Sequence, residues 1–170
     1  MQRIFLLILF STLIFYSCEE NPEYKFNESG VLLTSPKGWS VVDKEDFGSG
    51  YYLCIEKDGF DSSAVISFSW VNESLNVKDY IENYKDELKD NIVYKNSNLT
   101  FEPIVKSEYN KIESYSSRFK FSLLSLDHEG ILFSFIKNGR TYIIFKQEAI
   151  EDKAKNSIGF KEIEESFIIQ

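Results

Sequence analysis

The chain has 170 residues, of which 43% are hydrophobic and 27% charged, with only 3 Pro, 8 Gly, 2 Cys and 1 His. This composition excludes collagen-like, low-complexity and wholly disordered chains. Two Cys cannot build a disulfide framework, and two Cys with one His leave little for a zinc site. A net charge of −8 argues against nucleic acid, whose affinity comes mostly from Lys and Arg neutralising phosphates.

The chain opens with Gln2 and Arg3, followed by an apolar run from Ile4 to Tyr16 broken only by Ser11 and Thr12. At about 13 residues the run fits a signal peptide and falls short of the roughly 20 needed to span a bilayer. Residues 1–17 are therefore read as a signal peptide. Phe15-Tyr16-Ser17-Cys18 resembles the lipobox of bacterial lipoproteins. Ser17 fits its small position, whereas Phe15 and Tyr16 depart from the usual Leu and small residue. The resemblance implies that Cys18 is acylated and becomes the new N-terminus; ordinary secretion with a free Cys is the alternative. Two or three acyl chains suffice for stable anchoring, where one binds only reversibly. Glu19 and Glu20 resemble acidic sorting signals, which favours the outer over the inner membrane and leaves the leaflet open.

Residues 18–25 read as a polar tether and 26–170 as one domain. Val31 to Thr34 forms a short strand ended by the turn Ser35-Pro36-Lys37-Gly38, with Trp39 to Val42 returning. Tyr51 to Glu56 is a further strand, and Ala64, Ile66, Phe68 and Trp70 form the apolar face of the next. The period then changes. Val77, Tyr80, Ile81, Tyr84 and Leu88 make one stripe of a helix from Asn76 to about Lys89, with Asn76 as its cap. Strand signals return weakly at Ile104 to Tyr109 and strongly at Phe119 to Leu126. Asp127-His128-Glu129-Gly130 reads as a turn. Ile131 to Ile136 should pair with Thr141 to Lys146 across Asn138-Gly139, the strongest short hairpin signal in the chain. A closing helix presents Phe160, Ile163 and Phe167 on one face, with Gly159 expected near its start, since a mid-helix Gly costs about 1 kcal/mol. The fold class is α+β, an antiparallel sheet of about six strands flanked by helices.

Three strings together resemble the PsbP-like (Mog-type) fold in its bacterial lipoprotein branch. Gly30 to Trp39, with Pro36-Lys37-Gly38-Trp39, looks like the family's opening hairpin. Val77 to Leu88 matches its long helix. Lys137 to Ile144, followed by Ile163 to Phe167, looks like its closing hairpin and final helix, ending in Ser166-Phe167. One departure is Asn110-Lys111-Ile112-Glu113-Ser114-Tyr115, where many members carry a Gly-x-x-Ala-like turn. The resemblance implies an α/β/α sandwich and no shared active site. It carries over neither a photosystem role nor Ran binding, because fold does not imply function.

The sequence holds no nucleophile elbow, Walker loop, zincin helix or dinucleotide fingerprint. Cys54 lies in an apolar strand and reads as a small core residue. His128 reads as an exposed turn residue. Asp43, Glu45 and Asp46, and Glu56, Asp58 and Asp61, read as solvated loop acids without the spacing of a calcium loop. Neither metal nor cofactor is expected. Trp39, Phe47, Tyr51 and Tyr52 flank Gly48-Ser49-Gly50, expected to be a mobile loop, and are the candidate contact residues. The expected function is a non-catalytic envelope lipoprotein, lipid-anchored at Cys18, whose domain binds another envelope protein or supports assembly of a complex. The alternative is a small-ligand or glycan-binding lipoprotein serving a membrane transporter.

Overall fold

Alternating apolar residues build most of this molecule. The computed structural model describes residues 21–59 and 62–170. The signal segment, Cys18 and Asp61 lie outside the described residues. In chain order the elements are β1 (Tyr24–Glu28), β2 (Val31–Ser35), β3 (Trp39–Asp46), β4 (Gly50–Lys57), β5 (Val65–Val71) and helix α1 (Val77–Asp90). Then follow β6 (Thr100–Phe101), β7 (Val105–Tyr109), β8 (Ile112–Leu123), β9 (Leu126–Lys137) and β10 (Arg140–Ala149). A 3₁₀ turn at Ile150–Asp152 leads into helix α2 (Lys153–Ser166) and the short β11 (Ile168–Ile169).

The main sheet is antiparallel and runs β3-β4-β5-β10-β9-β8-β6, with β7 also paired to β8, making eight strands rather than about six. A second sheet, β1-β2-β11, joins the two ends of the domain. Tyr24 and Lys25, read from sequence as tether, belong to β1; of its five residues only Phe26 is buried, so the apolar signal was faint.

Both faces of the main sheet are covered. One packs under α2 and the small sheet, through Trp39, Phe68, Trp70, Tyr142, Phe160, Ile163 and Phe167 among others. The other packs under α1, through Ile81, Leu88, Phe119, Leu132, Ile143 and Phe145. Double coverage explains why Ser67, Ser116 and Ser134 are buried: on central strands no face is left for solvent. Asn76 caps α1 as expected, its Oδ1 accepting from the backbone N–H of Lys78 and Asp79 at 3.0 and 3.4 Å.

One rung of the sheet is aromatic across four strands. Tyr51 pairs with Trp70, Trp70 with Tyr142 and Tyr142 with Phe135. Successive ring centroids lie 5.0, 5.9 and 5.2 Å apart, within the range of favourable aromatic pairs. Such cross-strand pairs fix register as well as adding stability.

Four of the described hairpin turns place two successive residues at positive φ; Ser29-Gly30, between β1 and β2, is one. Asn138-Gly139 does so as the sequence indicates, with Thr141 opposite Ile136 and Lys146 opposite Ile131. Asn110-Lys111 does so where the family pattern departs, leaving the strands it joins intact. The last, Leu124-Ser125, carries only a serine as turn signal. It moves the β8–β9 turn away from the expected Asp127-His128-Glu129-Gly130, all four of which lie in β9.

Candidate functional site

Register decides where the candidate contact residues go. Trp39 and Tyr51 are 4% and 3% exposed and belong to the core, not to a contact surface. Trp39 opens β3 with its ring 5.0 Å from that of Phe160. Tyr51 sits in the aromatic rung, and its phenol donates to the Glu28 carboxylate at 2.6 Å. Burial, with Glu28 adding to it, pushes that phenol up to about 12. Tyr52 points to the opposite face, half-buried near Cys54, Ser67 and Tyr84 beneath α1. Phe47 alone of the four stands out, at 53% exposure. Its loop is tied down: Gly48 N–H donates to Asp46 Oδ1 at 2.7 Å, and Asn72 donates to the Gly48 and Ser49 carbonyls.

The side chains weighed for chemistry are occupied structurally. Cys54 is buried, and desolvation pushes its thiol up to about 11, away from a reactive thiolate. His128 is buried in β9, stacked on Phe121 at 4.7 Å, so the expected exposed turn residue is a core residue. Its Nδ1 has no hydrogen-bond partner, and burial lowers its basicity. Asp58 accepts from the Asn21 backbone N–H at 3.2 Å and from Ser40 Oγ at 2.5 Å, which pins the N-terminal segment to the start of β3. Among the described residues no group of three or more His, Cys, Asp or Glu could hold a metal ion.

Beside that pinned segment lies an open groove of about 570 Å³ between residues 21–24 and β3. Pro22, Tyr24, Trp39, Val41, Val42 and Lys44 line it. Among the described residues β3 is an edge strand of the main sheet, laddered to β4 on one side alone. Its ladder slips between Val41 and Asp43, leaving Val42 as a bulged, exposed residue. Downstream, Asp43, Lys44, Glu45 and Asp46 are all exposed. Bulges and charges of this kind protect an edge against indiscriminate pairing while leaving its backbone available. No local pattern marks the groove, because Tyr24 reads as tether and Val42 as an ordinary strand residue.

A second, smaller concavity of about 210 Å³ lies beside α2, over β8 to β10. Its charges are mostly paired to one another. Lys153 meets Glu129 at 2.5 Å, and Asn156 donates to Glu148 at 3.0 Å. At its edge Lys146 meets Glu164 at 2.8 Å. Glu129 and Glu148 stand directly opposite across β9 and β10, and burial raises the Glu148 carboxyl.

No family model matches the chain, and no curated protein does. Solved structures do. The solution structure of cyanobacterial PsbP (CyanoP) from Synechocystis sp. PCC 6803 superposes with a TM-score of 0.59 at 12% identity, over 92% of this chain and 96% of that one. A Pseudomonas aeruginosa protein of unknown function matches at 0.50 and 8% identity, over 88% of this chain and 99% of the other. LpqN of Mycobacterium tuberculosis, involved in cell envelope biogenesis, reaches 0.45 at 10% identity, over 88% and 91% of the two chains. The likeness is one of fold: the domain has the PsbP-like fold.

Proposed function

We propose that this chain is a lipoprotein of the cell envelope, acylated at Cys18, whose non-catalytic domain binds an extended segment of a protein partner along β3. The observation that carries this reading is the open groove on a free sheet edge. An extended peptide can add its backbone to such an edge and place alternate side chains in the adjoining groove. Asp43, Glu45 and Asp46 outnumber Lys44 along the exposed strand, so a segment bearing Lys or Arg is the preferred guest. The apolar leader and Ser17-Cys18 support the envelope location and the anchor. The smaller concavity suits a ligand less well, because its ionic groups already satisfy each other.

The test uses the native lipoprotein with a photo-crosslinking residue at Val42, and at exposed Val105 on β7 as control. Irradiated cells should yield a discrete protein adduct from Val42 and none from Val105. Equal, diffuse labelling from both positions refutes the edge as the binding site. Separately, Cys18→Ala should leave the precursor unprocessed or release the protein from membranes; normal membrane fractionation of that variant removes the anchor from the reading.

A further inference from the structure

The strand register places one set of strand ends together. Trp39 at the start of β3 faces Lys57 at the end of β4. Glu56 faces Val65 at the start of β5, and Val65 faces Gln147 near the end of β10. Gln147 faces Gly130, which faces Phe119 of β8. Asn21 is fixed at this same end, its carbonyl accepting from the Gly38 N–H at 3.1 Å and its side chain donating to Ser40 at 2.5 Å.

Beyond the Phe119–Gly130 pair, β8 and β9 continue for four further residue pairs, from Lys120–Glu129 to Leu123–Leu126. That carries the hairpin about 13 Å past the last rung of β5. At its tip Leu124 is 90% exposed with φ of +52°, and Ser125 follows at +68°. A leucine is strained in this backbone region where a glycine is not, and a solvent-exposed one gains no packing in return. Leu126 and Ile150 are also exposed here, Ile150 following directly on Ala149, the partner of His128. The loop after α1 joins them. Tyr94 packs edge-on against Phe121, Ser122 N–H donates to the Ser97 carbonyl at 2.6 Å, and Ile92 in that loop is 88% exposed.

We propose that this end of the molecule is a membrane-facing surface, with Leu124, Leu126, Ile92 and Ile150 entering the lipid interface. The inference rests on acylation of Cys18. Cys18 precedes Asn21 by three residues, a reach of at most about 11 Å, so acyl chains there hold this end of the sheet against the bilayer. Lys95 and Lys120 share the surface with Asp127 and Glu151, so its attraction to lipid is apolar rather than electrostatic. The hairpin then acts as a second, non-covalent contact that sets the orientation of the domain, with β3 and its groove running away from the membrane.

The test reconstitutes the full lipoprotein into phosphatidylethanolamine–phosphatidylglycerol vesicles, with an environment-sensitive fluorophore on Leu124→Cys or, at the far end of the sheet, on Ile136→Cys, each in a Cys54→Ala background. The 124 probe should shift to the blue and lose emission when the vesicles carry spin-labelled lipid, while the 136 probe responds only to aqueous iodide. Mass spectrometry of the same samples reports acylation independently. An acylated chain whose 124 probe stays accessible to iodide overturns this inference and leaves the anchor intact, whereas an unmodified Cys18 overturns the anchor itself. A blue shift that appears only on adding envelope proteins, with no quenching by spin-labelled lipid, assigns the tip to a protein partner and also overturns the inference.

Discussion

Gly159 lies directly beneath the indole of Trp39. A Cβ at position 159 would stand 2.1 Å from Trp39 Nε1 and 2.4 Å from Cε2. The glycine is therefore mid-helix in α2, not near its start, and close packing is its reason. Two effects oppose each other in Gly159→Ala. Helix propensity favours alanine by about 1 kcal/mol, and overpacking against a buried ring costs about 1–3 kcal/mol. Trp39 is buried and packed against Phe160, so the substitution should lower the melting temperature. Adding Trp39→Phe, which removes the crowded atoms, should recover part of the loss; a stabilising Gly159→Ala alone would show the contact to be loose.

The same pair shows what the sequence could and could not reveal. Helix α1 was legible because its apolar stripe, its Asn76 cap and its length all agree. The Asn138-Gly139 hairpin was legible from two residues. Gly159 was misplaced because local propensity cannot see a tryptophan arriving from another element. The β8–β9 turn was missed for the converse reason. Asp127-His128-Glu129-Gly130 has turn composition, while the real turn, Leu124-Ser125, offers only a serine, so the strand pattern runs on to Leu126, three residues past the end of β8 at Leu123. That single shift hid both the burial of His128 and the exposed tip. Trp39 and Tyr51 looked like loop-flanking aromatics because only long-range register aligns Tyr51 with Trp70 and Tyr142. The groove needed the tertiary bond between Asn21 and Ser40, for which no local pattern exists.

Glu28 joins the small sheet to the main one. Its carboxylate accepts from Lys44 Nζ at 2.7 Å and from the Tyr51 phenol at 2.6 Å. These bonds, that of Lys44 first, hold the carboxyl below its usual value of 4.5. Because the folded value is the lower one, the contribution is complete above the unfolded value and is lost as pH falls through the folded one. Wild type and Glu28→Gln should therefore differ most near neutrality and converge below about pH 4. Tyr51→Phe removes one hydrogen bond to a charged group and should cost about 1–2 kcal/mol in urea unfolding, with the ring stack kept.

His128 predicts a pH dependence of opposite origin. Burial holds the imidazole below its usual 6.5, with Asp127, Asp152 and Glu151 opposing that effect only in part. The unfolded chain thus takes up a proton first, and stability falls as pH drops below about 6.5 until the folded value is reached. His128→Phe retains an aromatic partner for Phe121 and has nothing to titrate. Melts from pH 7.5 to 5 should show a shallower decline for the variant than for wild type. Equal slopes would mean that the ring is solvated in the folded state. In a deletion strain, well-folded His128→Ala and Cys54→Ser should both complement; loss of function in either would place chemistry where none is proposed.

Gly139 tests the turn with the fewest complications. Its φ is +75°, that of Asn138 is +52°, and a Cβ at 139 would meet nothing within 4 Å. The cost of a side chain there is consequently conformational and free of collision. Gly139→Val forces a β-branched residue into the left-handed region and should destabilise the domain by about 1–2 kcal/mol. Gly139→Asn should cost less, since asparagine enters that region more readily than other non-glycine residues. Both variants should keep the wild-type urea m-value, because the strands flanking the turn remain paired from Arg140–Lys137 to Ala149–His128. The ordering Gly above Asn above Val in unfolding midpoints is the expected result. A valine variant as stable as wild type would falsify the left-handed turn. A changed m-value would instead show that the substitution alters the compactness of the folded or unfolded state and reaches beyond the turn.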